Sequence, residues 1–189
     1  ASRGAVSIGN PATAEFEVCR TTLLPSLLKT LAANKNAPLP VKLFEVSDVI
    51  LLDAASDVGA RNERRLIAVN CDKSAGFEVV HGLLNRVMQV LGIPHETMSA
   101  DTPKNRERIA KGFSYSWKAD DSPTYFEGRH ASVYAMGKRI GEVGVVHPEV
   151  LSNFGVDFPV AALEITIEPF VFDQNDKVLA THGGSMVGL

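Results

Sequence analysis

Five histidines, His81, His95, His130, His147 and His182, are the natural places to look for proton transfer or metal binding, and their spacing supports neither. None stands in an HxxxH or HExxH arrangement, which would set two imidazoles on one helical face around a metal. His147 and Glu149 flank Pro148, and a His-Pro-Glu unit reads as a cap or turn before it reads as a ligand pair. There is no Gly-x-Ser-x-Gly elbow, and Gly183-Gly184-Ser185 falls in a polar tail that reads as a flexible terminus. Walker-type and Rossmann glycine patterns are also missing. Cys19 and Cys71 show no CxxC or Cys/His spacing, so no disulfide framework or structural zinc is expected, and this usage suits a reducing compartment.

Charge gathers in one stretch. Lys104, Arg106, Arg108, Lys111 and Lys118 set five cations against Glu107, with Tyr115 and Trp117 close by. Such a stretch could hold RNA phosphate and stack a base. A solvated face with ordinary core aromatics is the plainer reading.

The elements that would carry these residues follow from periodicity. Leu24, Leu27, Leu28 and Leu31 form the i, i+3, i+4, i+7 stripe of an amphipathic helix, with Thr22 as N-cap and Pro25 in the first turn. Val41 to Leu52 and Arg64 to Cys71 read as strands, joined as an antiparallel hairpin by a long polar loop from Asp53 to Glu63. Phe77, Val80, Leu84, Val87, Met88 and Leu91 mark a second helix that Gly92 stops. Ser99 to Ser122 is read as one strand, around Phe113, Tyr115 and Trp117, within a solvated excursion. A hairpin turns at Gly137-Lys138-Arg139, and its Gly141 and Gly144 suggest a bulge or close backbone approach. A short helix starts at Pro148 and ends before Gly155, and Leu163, Ile165 and Ile167 alternate with Glu164, Thr166 and Glu168 as a final strand.

With 189 residues, the chain suits one large α+β domain or one domain with an appendage. Its 45% hydrophobic and 22% charged residues exclude wholesale disorder, and a net charge of -3 excludes a strongly basic domain though not a local basic patch. No apolar run exceeds four residues, so no membrane span or membrane partner is expected. The opening residues lack a secretory pattern and an initiator Met, and they run into Val6-Ser7-Ile8 as if towards a strand; the chain reads as a piece of a longer protein. From residue types and spacing alone, this is an α+β domain with no visible active site.

Six blocks, in order, carry a resemblance: Asn10-Pro11; Arg20 to Lys29; Leu43-Phe44-Glu45-Val46-Ser47-Asp48; Gly128-Arg129-His130-Ala131; Ile140 to Leu151; and Ala162-Leu163-Glu164-Ile165. Together they resemble the C-terminal module of the phenylalanyl-tRNA synthetase β-subunit family, of the archaeal and eukaryotic cytosolic type. The resemblance runs from about Val6 to Phe170 and is weakest across residues 99–122, which look divergent or inserted. It implies a module at 1–172, a flexible tail at 173–189, and a class II aminoacyl-tRNA synthetase-like antiparallel sheet flanked by helices.

The resemblance also implies that this module is not catalytic. The family's catalytic α subunit carries Arg-Val-Phe-Arg-x-Glu on one strand, whose second Arg grips the ATP α-phosphate; here Leu51 stands at that Arg and Asp53 at the Glu. Its Gly-x-Gly-x-x-Arg corresponds to Glu164-Ile165-Thr166-Ile167-Glu168-Pro169, which replaces glycines with side chains and the phosphate-binding Arg with Pro169. A carboxylate near a triphosphate costs roughly 3 kcal/mol for unit charges about 5 Å apart at an effective dielectric of about 20. No catalytic, cofactor or metal residue is therefore expected in this chain. ATP and magnesium belong to the implied holoenzyme, a cytoplasmic α2β2 heterotetramer in which an αβ pair meets a second one and binds tRNA.

Within that assembly Arg20, Leu23, Leu27 and Lys29 are expected at a subunit interface, and Lys104, Arg106 and Arg108 at the tRNA. The leucine stripe fits the module's own core or the interface. A free-standing regulatory or ligand-binding domain on a degenerate synthetase fold is the alternative function.

Overall fold

The last strand in the chain lies in the middle of the sheet, and that placement organises the rest. The computed structural model describes residues 4–14, 17–98 and 101–171. Among them run α1 (Leu24–Ala33), β1 (Val41–Leu52), β2 (Ala60–Cys71), α2 (Phe77–Val90), α3 (Pro103–Ala110), β3 (Tyr115–Ala119), β4 (Tyr125–Ala135), β5 (Lys138–Val146), α4 (Pro148–Phe154), β6 (Val160–Thr166) and α5 (Glu168–Val171). The strands form one antiparallel sheet ordered β1-β2-β6-β5-β4-β3. This is the α+β, class II synthetase-like arrangement expected above. The expected tail at 173–189 lies outside the described residues.

Helices cover both faces of the sheet. On one, Val80, Leu84 and Met88 of α2 pack on Val133, Val143, Leu163 and Ile165. On the other, Leu24, Leu27, Leu28 and Leu31 of α1, with Leu151 of α4, pack on Val49, Ile67, Val69, Val160 and Ala162. Each such leucine contributes about 1.5–3 kcal/mol by leaving water. The stripe thus fills the chain's own core.

Several expectations shift in detail. Helix α1 has Leu23, not Thr22, at its cap position. Strand β2 begins at Ala60, so the β1–β2 loop is shorter than read from the polar run, because Arg61, Asn62 and Glu63 extend the ladder opposite Leu51, Ile50 and Val49. The stretch 101–122 is more than one strand in an excursion, since it also holds α3, capped by Thr102 and opened by Pro103. Val6 to Ile8 gives one isolated bridge, Ser7 with Val18, and no strand. Strand β6 ends at Thr166, before the expected Ile167 and Glu168, and is buried on both sides apart from its last residue.

The expected close approach at Gly141 is present. A Cβ there would lie 2.0 Å from the Glu164 carbonyl oxygen, so only glycine lets β5 and β6 pair at this point. At Gly144 a Cβ would meet the Tyr125 ring and the Arg129 carbonyl at 2.7 and 2.8 Å.

Candidate functional site

Strand periodicity sets Arg61, Glu63 and Arg65 on one side of β2, beside Glu164 and Thr166 of β6 and Glu142 of β5. With Leu51 and Arg139 they line a cavity of about 330 Å3 on the sheet face that α1 leaves open. Leu51, Glu164 and Thr166, three of the positions that the resemblance sets against ATP-binding residues, line this one cavity. Pro169 lies in α5, away from the cavity lining.

The cavity holds three arginines that sequence reading did not associate with it, because they come from strands far apart in the chain. Each is already paired. Arg61 meets Glu63 at 2.7 Å and Asp53 at 3.6 Å, Arg65 meets Glu63 at 2.8 Å and Glu164 at 3.0 Å, and Arg139 meets Glu142 at 2.8 Å. Burial works to raise the Glu63 carboxyl, but the guanidinium bonds from Arg61 and Arg65 outweigh it and hold it below its ordinary value of 4.5. Burial likewise opposes charge on Arg65, and the bonds to Glu164 and Glu63 reverse that effect and keep it firmly protonated.

Glu164 is only 4% exposed and is fully engaged. It accepts hydrogen bonds from the Leu23 amide at 3.1 Å, the Leu24 amide at 3.2 Å, the Thr22 hydroxyl at 2.6 Å and Arg65 Nη1 at 3.0 Å. Leu23 cannot cap α1 itself, so a carboxylate from β6 satisfies the helix's first N–H groups and complements its positive end. Glu142 stands directly opposite Glu164 in the β5–β6 register, a repulsive pair made tolerable by Arg139 and Arg65.

Adenylate chemistry needs preplaced cationic donors aimed at phosphate. With three arginines and three glutamates among the lining residues, paired among themselves, the face offers a triphosphate no net positive field. ATP and magnesium do not fit this donor set. Among the described residues no cluster of three or more His, Cys, Asp or Glu side chains could hold a metal.

The expected interface residues divide. Leu23 and Leu27 are 0% and 6% exposed and sit in the core, so their apolar area is spent inside the chain. Lys29 is exposed on α1. Arg20 is exposed and fixed against β1, donating to Glu45 at 2.9 Å, to the Asp48 carbonyl at 3.1 Å and to Ser47.

The basic stretch divides as well. Lys104 and Arg108 line a cleft between α2 and α3, joined there by Arg86, which sequence spacing did not single out. Arg106 is exposed and does not line the cleft. Lys111 pairs with Glu107 at 2.7 Å, and Lys118 sits over the Tyr134 ring at 5.3 Å. Tyr115 is core, 4% exposed, and its hydroxyl donates to Asn85 at 2.7 Å, whereas Trp117 remains 38% exposed.

His147 plays the capping part expected of it, its Nδ1 accepting from the Glu149 amide at 3.1 Å. His130 is buried, stacked on Tyr125 with centroids 4.6 Å apart, and donates from Nδ1 to the Asp120 carbonyl at 2.9 Å. Burial first, then the nearby Glu142 charge, pushes the Tyr125 phenol well above its ordinary range, so it stays neutral. Cys71 is buried and Cys19 half-buried, both as free thiols.

Comparison with known proteins gives this geometry its context. The family model for the phenylalanyl tRNA synthetase beta chain CLM domain matches residues 1–167. Phenylalanine–tRNA ligase beta subunits are similar over most of the chain: that of Drosophila melanogaster is 56% identical over 88% of this chain and 26% of its own length. The Homo sapiens subunit is 48% identical over the same shares, and the cytoplasmic subunit of Arabidopsis thaliana 45% over 87% and 27%. This chain thus spans about a quarter of the length of these curated relatives. Among solved structures, a pyrrolysyl tRNA synthetase of Desulfitobacterium hafniense superposes with a TM-score of 0.63 at 10% identity, over 88% of this chain and 52% of that one. At that identity the likeness speaks for the fold alone. No helix among the described residues is long and apolar enough to cross a membrane.

Proposed function

The chain belongs to the phenylalanyl tRNA synthetase beta chain family, and we propose that it serves there as a class II-like assembly module without catalysis of its own. In this reading it supports ATP-dependent attachment of phenylalanine to tRNA by an α subunit, within a cytoplasmic α2β2 heterotetramer. ATP and magnesium act at the α subunit. The observation that carries the reading is the self-paired sheet face, with Glu164 committed to α1; the resemblance adds that Leu51 stands against a phosphate-gripping Arg of the catalytic subunit.

Arg20 and Lys29 are the residues proposed to face the neighbouring subunit, with Leu23 and Leu27 supporting them from inside. RNA contact is proposed for the α3 side, through Lys104 and Arg108. Phenylalanine-dependent exchange of pyrophosphate into ATP tests the reading. A complete β chain alone is expected to give none and its complex with α to give full exchange; exchange by β alone overturns it.

A further inference from the structure

The cleft between α2 and α3 has an electrostatic character opposite to that of the paired sheet face. Arg86 enters from α2, Lys104 and Arg108 from α3, and Asp101 is the one acidic residue of its lining among the described residues. This occurs in a chain whose formal net charge is -3. Resting on the reading above, we propose that the cleft holds the phosphodiester backbone of an RNA strand, that of the tRNA, through Arg86, Lys104 and Arg108.

Both walls show how the cations are placed. Gln89 accepts from Arg86 Nη1 at 2.7 Å, one turn along α2, and steadies that guanidinium beside the cleft. Gly92 ends α2 with φ +73°, and a Cβ there would lie 3.1 Å from Arg108 Nη1, so the glycine leaves room for the Arg108 guanidinium. Asn85 accepts the Tyr115 hydroxyl at 2.7 Å through its carbonyl oxygen, which leaves its amide hydrogens to donate. The capped start of α3 adds its positive end beside Lys104. The cleft is about 650 Å3, and Asn85, Arg86, Lys104, Asn105 and Arg108 bring donors to its lining. Those properties suit a chain of singly charged phosphates, which is recognised by cations and amide donors along its length.

The placement also excludes residues that charge counting included. Arg106 does not line the cleft, Lys111 is engaged by Glu107, and Lys118 is held over Tyr134. RNA contact should therefore depend on Arg86, which lies outside the basic stretch, and not on Arg106, which lies within it.

The test uses the complete α–β complex and equilibrium binding of tRNA across a salt series. Combining Arg86→Ala, Lys104→Ala and Arg108→Ala should raise Kd on the order of tenfold at low salt. The slope of log K against log salt should fall by about 2–3, at about 0.7–0.9 per lost phosphate contact. Arg106→Ala should leave both at wild-type values. The triple variant should assemble with α and melt as wild type does; if it does not, Lys104→Glu, at an exposed position, must weaken binding and flatten the slope by about one unit. Wild-type Kd and slope in the triple variant overturn the proposal, as does an effect of Arg106→Ala equal to that of the triple. So does polyglutamate binding that the triple variant abolishes but that leaves tRNA binding untouched, which would mark the cleft as a site for acidic peptide. If the wild-type complex fails to charge tRNA with phenylalanine, the family-based reading fails; if it charges tRNA while the variants bind normally, only the cleft assignment does.

Discussion

A carboxylate at the centre of a sheet is costly unless its oxygens are engaged, and Glu164 meets that condition by taking two backbone amides, a hydroxyl and a guanidinium. Glu164→Ala would orphan the start of α1 and leave Arg65 facing Glu63 alone, so urea denaturation should show a loss of about 3–5 kcal/mol. Glu164→Gln, which keeps one acceptor oxygen for the amides, should cost less; equal costs would mean that the negative charge paired with Arg65 is what matters. Glu63 makes a pH prediction. Its folded carboxyl titrates below 4.5, so its stabilisation is fully present above that value and is lost as pH falls through the depressed one. Asp48, lowered by its hydrogen bond to Arg64, acts in the same direction on a more exposed site. Melting temperatures from pH 6 downward should therefore fall less steeply for Glu63→Gln than for wild type, and parallel curves would refute the linkage.

At the scale of elements, α1 and α3 are opposites. Helix α1 is held by packing: Leu28 is fully buried, so Leu28→Ala should cost about 2–5 kcal/mol in denaturant titrations, whereas Val90→Ala, at 71% exposure, should stay within about 0.5 kcal/mol. Helix α3 buries no residue and rests on its cap, the Asn105 amide donating to Thr102 Oγ1 at 3.2 Å. Thr102→Ala should cost about 1 kcal/mol, visible as faster amide exchange across 103–110 with α2 unchanged. The same contrast explains what could be read in advance. Leu24, Leu27, Leu28 and Leu31 announced α1 through periodicity, and Val41 to Leu52 announced β1 to the residue. Helix α3 has no apolar stripe, so periodicity passed over it and only Thr102-Pro103 signalled its start. The burial of Glu164 could not be read from the strand's alternation, because its partners Thr22, Leu23 and Arg65 lie about 100 to 140 positions away. The site was legible only in part: Leu51 and Glu164 were found through resemblance, while Arg61, Arg65, Arg139 and Arg86 needed the register of the sheet and the approach of α2 to α3.

For the whole molecule, the decisive joint is between β5 and β6. Strands β1 and β2 form one hairpin and β4 and β5 another; β6, arriving last, pairs with β2 on one side and β5 on the other. Both hydrophobic clusters draw residues from β6, Val160 and Ala162 on one face and Ala161, Leu163 and Ile165 on the other, so anything that parts β5 from β6 loosens both at once. Gly141 sits at that joint. An alanine methyl there would need the space occupied by the Glu164 carbonyl, at 2.0 Å, and the Ile165 Cα, at 2.6 Å; these are backbone atoms that no rotamer change can move. The strands must separate, which would also pull the Glu164 carboxylate away from α1. Gly141→Ala should therefore cost about 3 kcal/mol or more, at or beyond the upper end of ordinary overpacking. Gly82→Ala is the matched control: it lies within α2, meets nothing within 4 Å, and should be neutral or stabilise by up to about 1 kcal/mol. Denaturant titrations of the two variants compare them directly. If Gly141→Ala is tolerated as well as Gly82→Ala, β6 does not bind the halves of the sheet as tightly as this register requires.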